Sequence, residues 1–286
     1  MTGESSDPDL DPETDVDPRL ARITVYPVKS LDPHDVERAR LVDGGALAGD
    51  REFALFDADG NYVNGKRERA IHRLRTDFDP GGGSSDGPRL TVEAPGWDGP
   101  VAVELDDPDG RERLRERLSD YFGYPVEIRR DRAGGFPDDT SASGPTVLST
   151  ATLREVASWY EGVTVGGMRR RLRANLEIEG VPAFWEDRLF DEPGRVVRFA
   201  VGDVTFDGVN PCQRCVVPSR DPETGEETPG FRETFVERRA ATLPEWSGGG
   251  RFDHPFRLMV NTRVPGSPGN ELAVGDEVRV LGVREE

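Results

Sequence analysis

The two cysteines of this 286-residue chain lie in one short segment, Pro211-Cys212-Gln213-Arg214-Cys215. A C-x-x-C pair can act as a redox dithiol, supply half of a zinc site or consist of inert core thiols. Zinc would need two further ligands, and none of the three histidines stands at ligand spacing to another. A fourth possibility is a single thiolate ligand to a metal whose other ligands come from a cofactor, because soft sulfur suits metals already held by sulfur. The neighbouring Arg214 would favour the thiolate form.

Basic residues form a second group of candidates. Arginine occupies four of the five positions in Arg169-Arg170-Arg171-Leu172-Arg173. Planar guanidinium groups bind phosphate in a bidentate manner, but such a run is equally compatible with a surface paired to nearby carboxylates. Lys29-Ser30 is a possible phosphate clamp, and its alternative is an ordinary surface lysine. Arg51, which follows a Gly-Asp turn, leaves the same two interpretations open.

The overall charge gives these cations their context. The chain has 55 acidic and 37 basic residues, a net charge of −18, and its only lysines are Lys29 and Lys66. This composition resembles that of a cytoplasmic protein from a high-salt organism, although a GC-rich genome also replaces lysine by arginine. An acidic surface argues against nucleic acid or an anionic membrane as a partner. No run of 18 apolar residues occurs and the first residues lack an apolar signal-peptide core, so we expect a cytoplasmic protein without a membrane segment.

The elements that must position these residues are mainly short strands. Lys29 follows an alternating strand that includes Ile23 and Val25, and the cysteines follow the strand Val204–Phe206. One helix is predicted from Asp109 to Phe122, where Gly123 ends it. A second helix is predicted to begin with a capping box of Thr152 and Glu155.

Many short strands with few helices predict an α+β, β-rich fold and no β-α-β sheet. We expect an N-terminal β-barrel-like domain followed by a second β-barrel domain with a few flanking helices. The Gly/Asp/Ser/Pro-rich segment from Arg130 to Pro145 is the predicted boundary. The predicted division is a disordered acidic tail over residues 1–18, a first domain over 19–135 and a second over 136–286.

Several short motifs resemble those of one known family in the same order. The motifs are Tyr26-Pro-Val-Lys-Ser30, Gly49-Asp-Arg-Glu-Phe53, Arg173-Ala-Asn-Leu-Glu-Ile178, Phe184-Trp-Glu-Asp187, Val201-Gly-Asp203, Cys212-Gln-Arg-Cys215 and Asp221-Pro-Glu-Thr-Gly225. The chain resembles MOSC-domain proteins that carry a MOSC N-terminal β-barrel domain, in particular the mitochondrial amidoxime-reducing component and its bacterial homologues. The resemblance extends over nearly the whole chain.

The resemblance implies a molybdenum cofactor (Mo-molybdopterin) bound between the two domains. It implies that Cys215 is the metal ligand and catalytic residue, and that Cys212 does not bind metal. The cofactor contacts that it implies are Lys29, Ser30, Arg51, Ser143, Arg173, Asn175, Gln213 and Arg214. Arg169 to Arg171 lie outside the matched motifs.

The activity implied by the resemblance is reduction of a small-molecule substrate of the N-hydroxylated or N-oxide type. The metal would alternate between Mo(VI) and Mo(IV). The electrons would come from an external donor protein of the ferredoxin or flavin type. The alternatives are a cofactor carrier related to sulfur transfer, without redox activity of its own, and a MOSC fold that has lost the cofactor and binds only a partner.

Overall fold

The structure is a computed structural model and describes residues 17–81, 87–244, 247, 254–266 and 269–286. The predicted acidic tail lies outside the described residues except for its last two positions, Asp17 and Pro18.

The described chain forms fifteen strands and four α-helices, and the predicted fold class, α+β and β-rich, is confirmed. The strands are β1 (Arg19–Val25), β2 (His34–Val36), β3 (Arg38–Arg40), β4 (Phe53–Asp57), β5 (Arg75–Asp79), β6 (Arg89–Glu93), β7 (Val101–Glu104), β8 (Val126–Arg130), β9 (Val147–Ser149), β10 (Leu176–Glu179), β11 (Arg195–Val201), β12 (Val204–Gln213), β13 (Arg257–Arg263), β14 (Glu271–Ala273) and β15 (Val278–Glu285). The helices are α1 (Pro108–Phe122), α2 (Thr150–Ser158), α3 (Val165–Leu172) and α4 (Phe231–Ala240), with short 3-10 helices η1 (Arg69–Arg73), η2 (Trp185–Leu189) and η3 (Val217–Ser219).

The largest sheet contains strands from both predicted domains. Its order is β15-β11-β12-β13-β9-β10-β1-β2, and β1 pairs antiparallel with β10, so that Ile23 lies opposite Leu176. The large sheet nevertheless contains one β-α-β unit, which the sequence patterns did not predict. Strands β9 and β10 are parallel and are joined through α2 and α3. Strand β9 has only three residues, too few for an alternating pattern to reveal it.

Three large apolar cores and one small cluster of Ala142, Val196 and Val209 support the fold. The first lies against the large sheet and joins Leu20 and Ile23 of β1 to residues of β11 and β12 such as Phe199 and Phe206. The second packs α1 against β5, β6 and β7. The third lies among α2, α3 and α4 and includes Phe235. Because β1 belongs to the first core, the two predicted domains share buried apolar surface.

The ends of the first two helices test the capping predictions. Helix α1 begins one residue before the predicted start at Asp109, because Asp107 is the N-cap and accepts hydrogen bonds from the first-turn N–H groups. Gly123 ends the helix as predicted, at φ 77°. The N-cap of helix α2 lies three residues before the predicted cap, Thr152. Its N-cap is Ser149, whose side chain accepts from the N–H of Thr152. The predicted capping box at Thr152 is therefore wrong.

Thr152 instead belongs to a buried acid cluster, which we define as Thr152, Glu186, Asp187 and Arg239. The Thr152 hydroxyl donates to Glu186 Oε2 at 2.9 Å, and Arg239 Nη2 donates to Asp187 Oδ1 at 2.5 Å. Burial raises the pKa of Glu186 to about 7, and the adjacent Asp187 carboxylate contributes in the same direction. A carboxyl group with this pKa holds its proton over much of the range below neutral pH.

We expect the contribution of Glu186 to the stability of the protein to fall as the pH rises from about 4.5, the ordinary pKa of glutamate, towards 7. In this window the folded state binds more protons at Glu186 than the unfolded state does, so deprotonation favours unfolding. The loss amounts to at most about 3.5 kcal/mol at about 1.4 kcal/mol per pKa unit. Glu186→Gln should reduce the fall in stability between pH 5 and pH 8 by the share due to Glu186 and should exceed the wild-type stability at pH 8. Urea unfolding at pH 5 and pH 8 in constant salt measures both effects, and an unchanged slope in the variant would contradict the assignment.

Candidate functional site

A cavity of about 490 Å³ is lined by residues of both predicted domains. Its size falls within the usual range for small-molecule and cofactor sites. Every site residue predicted from the sequence lines it: Lys29, Ser30, Arg51, Ser143, Arg173, Asn175, Gln213, Arg214 and Cys215. The structure thus brings together residues that are up to 186 positions apart in the sequence, from Lys29 to Cys215.

Lys29 occupies the wall of this cavity just after β1. Its side chain is only 6% exposed, and Nζ donates to the carbonyl of Phe136 and to Asp138 Oδ1, both at 2.8 Å. Nζ also lies 4.9 Å from the ring centre of Tyr62. Burial lowers the pKa of Lys29, and the charge of Asp138 opposes that shift. An ammonium group has three N–H donors, so these two bonds leave one for a ligand.

A stack of two arginines on one tyrosine forms the neighbouring wall. Arg51 and Arg173 both lie against Tyr26, with guanidinium carbons 5.0 and 4.0 Å from the ring centre. Arg51 pairs with Asp50, which also accepts from the Tyr26 N–H at 2.8 Å. Arg173 donates through Nη1 to the carbonyl of Leu31 at 2.9 Å, while its Nη2 is buried without a partner among the described residues. Burial lowers the pKa of Arg173, and the nearby Arg51 adds to that effect.

Backbone strain is concentrated around the same cavity. Five non-glycine residues of the described chain have positive φ, and four of them line the cavity: Ser30, Arg51, Arg173 and Met259 at 73°, 51°, 59° and 71°. The left-handed region is costly for residues with a Cβ, and such strain tends to occur at binding and catalytic sites. The sequence predicts three of these four positions as site residues, on other grounds.

The cysteine segment leaves the end of β12 and lines the same cavity. The Arg214 N–H donates to the carbonyl of Phe256 at 2.9 Å, and its Nη2 donates to the carbonyl of Leu172 at 2.9 Å. Its Nη1 lies 3.1 Å from Cys212 Sγ, and its Nε is buried without a partner among the described residues. Both cysteines are free thiols, and Cys212 packs against the core of α2 to α4. Arg214 therefore contacts the sulfur of Cys212.

The described residues contain no group of three or more His, Cys, Asp and Glu side chains that could hold a metal ion. Among the described residues, neither thiol has enough neighbouring ligands to hold a metal. A metal bound at either thiol would therefore need further ligands from another molecule, such as a cofactor. This arrangement gives no support to the zinc interpretation.

Three of the predicted contacts already have protein partners. Asn175 donates to the carbonyl of Thr24 at 3.0 Å and accepts from the N–H and the hydroxyl of Thr146, both at 3.2 Å. It therefore ties β1 to the segment before β9. Ser143 Oγ donates to the carbonyl of Gly44 at 2.6 Å. Gln213 is exposed, with its Nε2 atom 3.4 Å from His254 Nε2.

The arginine run is paired with carboxylates and carbonyl groups. Arg169 pairs with Glu177, and Arg171 donates to the carbonyls of Pro218 and Arg220. Arg170 lines the cavity and donates to Asp32 at 2.9 Å, a residue of the other predicted domain. These pairs agree with the interpretation of a charge-paired run, and Arg170 links the two predicted domains across the cavity.

The sequence did not single out several residues of the cavity wall. Asp138 contacts Lys29 from the segment that was predicted as a domain boundary, and its side chain is 60% exposed. Asn210 and Asn261 line the wall on β12 and β13. Asp138 lies among many other acidic residues, and an isolated asparagine has no motif. No sequence signal marks either kind of residue.

Among the described residues, no helix is long and apolar enough to span a membrane.

The fold and the cavity together define a strand-rich, two-part protein with a cationic small-molecule site and a thiol in its wall. Comparison with protein families identifies that class more closely. The MOSC N-terminal beta barrel domain matches residues 17–119, and the MOSC domain matches residues 146–279. The chain belongs to the family of MOSC-domain proteins with a MOSC N-terminal beta barrel domain. A comparison with curated proteins gives no significant match.

MOSC domains are associated with binding of the molybdenum cofactor. The family includes both sulfurase and reductase members. Membership of this family therefore favours the molybdenum cofactor as the ligand of the cavity, but it does not specify the reaction.

Proposed function

We propose that the cavity binds the molybdenum cofactor and that the protein is a cytoplasmic reductase of N-hydroxylated or N-oxide type substrates. The observation that carries the proposal is a set of four buried or half-buried cations that share one cavity with Cys215: Lys29, Arg51, Arg173 and Arg214. In a chain of net charge −18, such a set calls for an anionic ligand.

The residues present fit this cofactor at its phosphate end. Lys29 retains a free N–H, and Arg173 Nη2 and Arg214 Nε are buried without partners among the described residues. A buried donor without a partner costs about 1–3 kcal/mol. A ligand rich in acceptors would remove that cost. We assign the phosphate to Lys29, Ser30, Arg51 and Arg173, and pterin contacts to Arg214 and the neighbouring wall residues.

The residues also fit at the metal end, where Cys215 would supply one thiolate to a metal already held by the sulfurs of the pterin. When bound, the cofactor supplies two-electron redox chemistry at the metal. The chain binds and orients the cofactor, and its buried cations balance the phosphate charge. Ser143 and Asn175 support the wall, because their side chains fix Gly44, Thr24 and Thr146.

Reduction of an N–OH group to N–H consumes two electrons and two protons and releases water. Two cysteines are too few for an iron–sulfur cluster held by four thiolates. We therefore propose an external electron-donor protein of the ferredoxin or flavin type. The acidic composition supports function at high salt, where the repulsion among its carboxylates is screened.

Metal and pterin analysis of protein purified in high salt tests the proposal. We expect molybdenum and pterin in equal amounts, and turnover of hydroxylamines, N-oxides or sulfoxides with a chemical reductant. Metal and pterin without turnover would indicate a cofactor carrier instead. Protein without either component, even after expression with excess molybdate, would overturn the proposal.

Lys29→Gln should lower the retained molybdenum and pterin by at least about tenfold, because a charge-assisted bond to phosphate contributes about 1.5–3 kcal/mol. The variant keeps a donor but loses the charge. The control is Arg67→Gln, which removes a cation that is 56% exposed and lies outside the cavity. Equal cofactor content in the two variants after dialysis would contradict the role of Lys29.

A further inference from the structure

Asp138 is an acidic residue in the wall of a cavity that gathers cations for an anionic ligand. It lies in the segment from Arg130 to Pro145, and its Oδ1 atom accepts from Lys29 Nζ at 2.8 Å. The same oxygen is 4.0 Å from Lys66 Nζ. A carboxylate therefore already holds the ammonium group that we assign to the phosphate.

The second carboxylate of the cationic wall, Asp50, is bound quite differently. Asp50 is 8% exposed, pairs with Arg51 and also accepts from the N–H of Tyr26, so the fold fixes it in place. Asp138 is 60% exposed and accepts no hydrogen bond besides that of Lys29 among the described residues. Partial desolvation acts to raise the pKa of Asp138, but the neighbouring positive charges outweigh it and hold the pKa well below its usual range. Asp138 is thus a charged group with a single bond to keep it there.

The backbone around Asp138 has few bonds to the rest of the described chain. The N–H groups of Phe136 and Gly144 donate to backbone carbonyls outside the segment, both at 2.9 Å. Between these two anchors, residues 137–141 make no backbone-to-backbone hydrogen bond with another described residue. One side chain from elsewhere, Arg263, donates to a carbonyl of this stretch at 2.6 Å. Because stretches with so few hydrogen bonds open locally at low cost, Asp138 can leave its partner while both anchors stay in place.

We propose that Asp138 is an internal anion that competes with a bound phosphate group for Lys29 and thereby limits the affinity of the cavity for its ligand. A phosphate on the remaining N–H of Lys29 lies close to the carboxylate, and like charges at short range repel each other. When the carboxylate moves away, the ammonium group binds phosphate in its place. The inference rests on the proposed function for the identity of the ligand, but it concerns anion affinity alone.

Calorimetric titration with inorganic phosphate tests this competition without the cofactor. The protein is the full chain, produced in cells that cannot make the pterin and measured in one high-salt buffer. Asp138→Asn should bind phosphate about tenfold more tightly than the wild type, because the amide removes the like charge but still accepts from Lys29. The cofactor-loaded variant should also retain more pterin than the wild type during dialysis. Both changes are opposite in sign to the effect expected for Lys29→Gln.

The matched control is Asp131→Asn, which removes the same charge from the same segment. Asp131 lies outside the cavity and accepts from the N–H of Ala133, so this variant should leave the phosphate affinity unchanged. An unchanged affinity in Asp138→Asn would overturn the inference. A weaker affinity would also overturn it, because Asp138 would then hold Lys29 in position for the anion. Since phosphate binding is measured without metal or pterin, this result is separate from the analysis that tests the proposed function.

Discussion

Cys215→Ser is expected to lose its molybdenum and to reduce substrate no faster than the uncatalysed reaction. A serine hydroxyl does not offer the soft anionic sulfur that a sulfur-held metal binds, and the redox chemistry resides in the cofactor. Metal content and turnover with a chemical reductant, both measured after purification in high salt, check the two parts of this expectation.

Cys212→Ser provides the matched comparison and should keep its metal and most of its activity. Cys212 lies at 3.1 Å from Arg214 Nη1 and packs against the core of α2 to α4, so its contacts are within the protein. A serine oxygen at the same position can still accept from Arg214. Equal loss of activity in the two variants, with metal retained in both, would favour a redox dithiol over a single metal ligand.

Arg239→Met is expected to destabilise the protein by about 3–5 kcal/mol, the usual cost of removing one partner of a buried ion pair. Arg239 is fully buried, and besides Asp187 it donates to the carbonyl of Arg257 at 3.1 Å. Its loss leaves the Asp187 carboxylate buried without its counter-charge. Thermal unfolding in constant high salt should show a decrease in Tm of roughly 10 °C.

Two further variants separate the effect of the lost charge of Arg239 from other effects of the substitution. Arg38→Met removes the cation of an exposed pair with Glu271 and should leave the Tm almost unchanged, because exposed ion pairs contribute little to stability. The double variant Arg239→Met with Asp187→Leu should recover much of the lost stability, because it removes the uncompensated charge as well. A double variant as unstable as Arg239→Met alone would show that the packing of Arg239, and not its charge, dominates.

Sequence patterns predicted helices α1 and α2 and most of the longer strands, but they missed α3, α4 and β5 as well as the strands of three residues. Helix α1 was predicted because Asp109, Gly123 and the apolar face are all local signals, although the N-cap proved to be Asp107. Strands β2, β3, β9 and β14 are too short for periodicity to appear. The capping prediction for α2 was wrong because the hydroxyl of Thr152 bonds Glu186, a partner 34 residues away. Such a tertiary contact is not visible in the local sequence.

The residues of the site, like the secondary-structure elements, were predicted only where the sequence carries a local signal or a family motif. Lys29 could be singled out because lysine is rare in this chain, and the cysteines because both stand in one motif. The resemblance to a family then supplied the remaining predicted positions. Asp138, Asn210 and Asn261 were missed because folding brings them to the cavity from segments that have no signal of their own.

The pairing of β1 with β10 has a consequence for biosynthesis. Residues 19–25 leave the ribosome long before their partner strand, residues 176–179, which emerges about 150 residues later. Because synthesis proceeds at about 5–20 residues per second, the apolar side chains of β1 remain without their partner strand for on the order of ten seconds. During that interval Leu20 and Ile23, which are both buried in the folded protein, are exposed to chaperones and to non-native contacts. The second core, which is built from residues 28–126, can form without them.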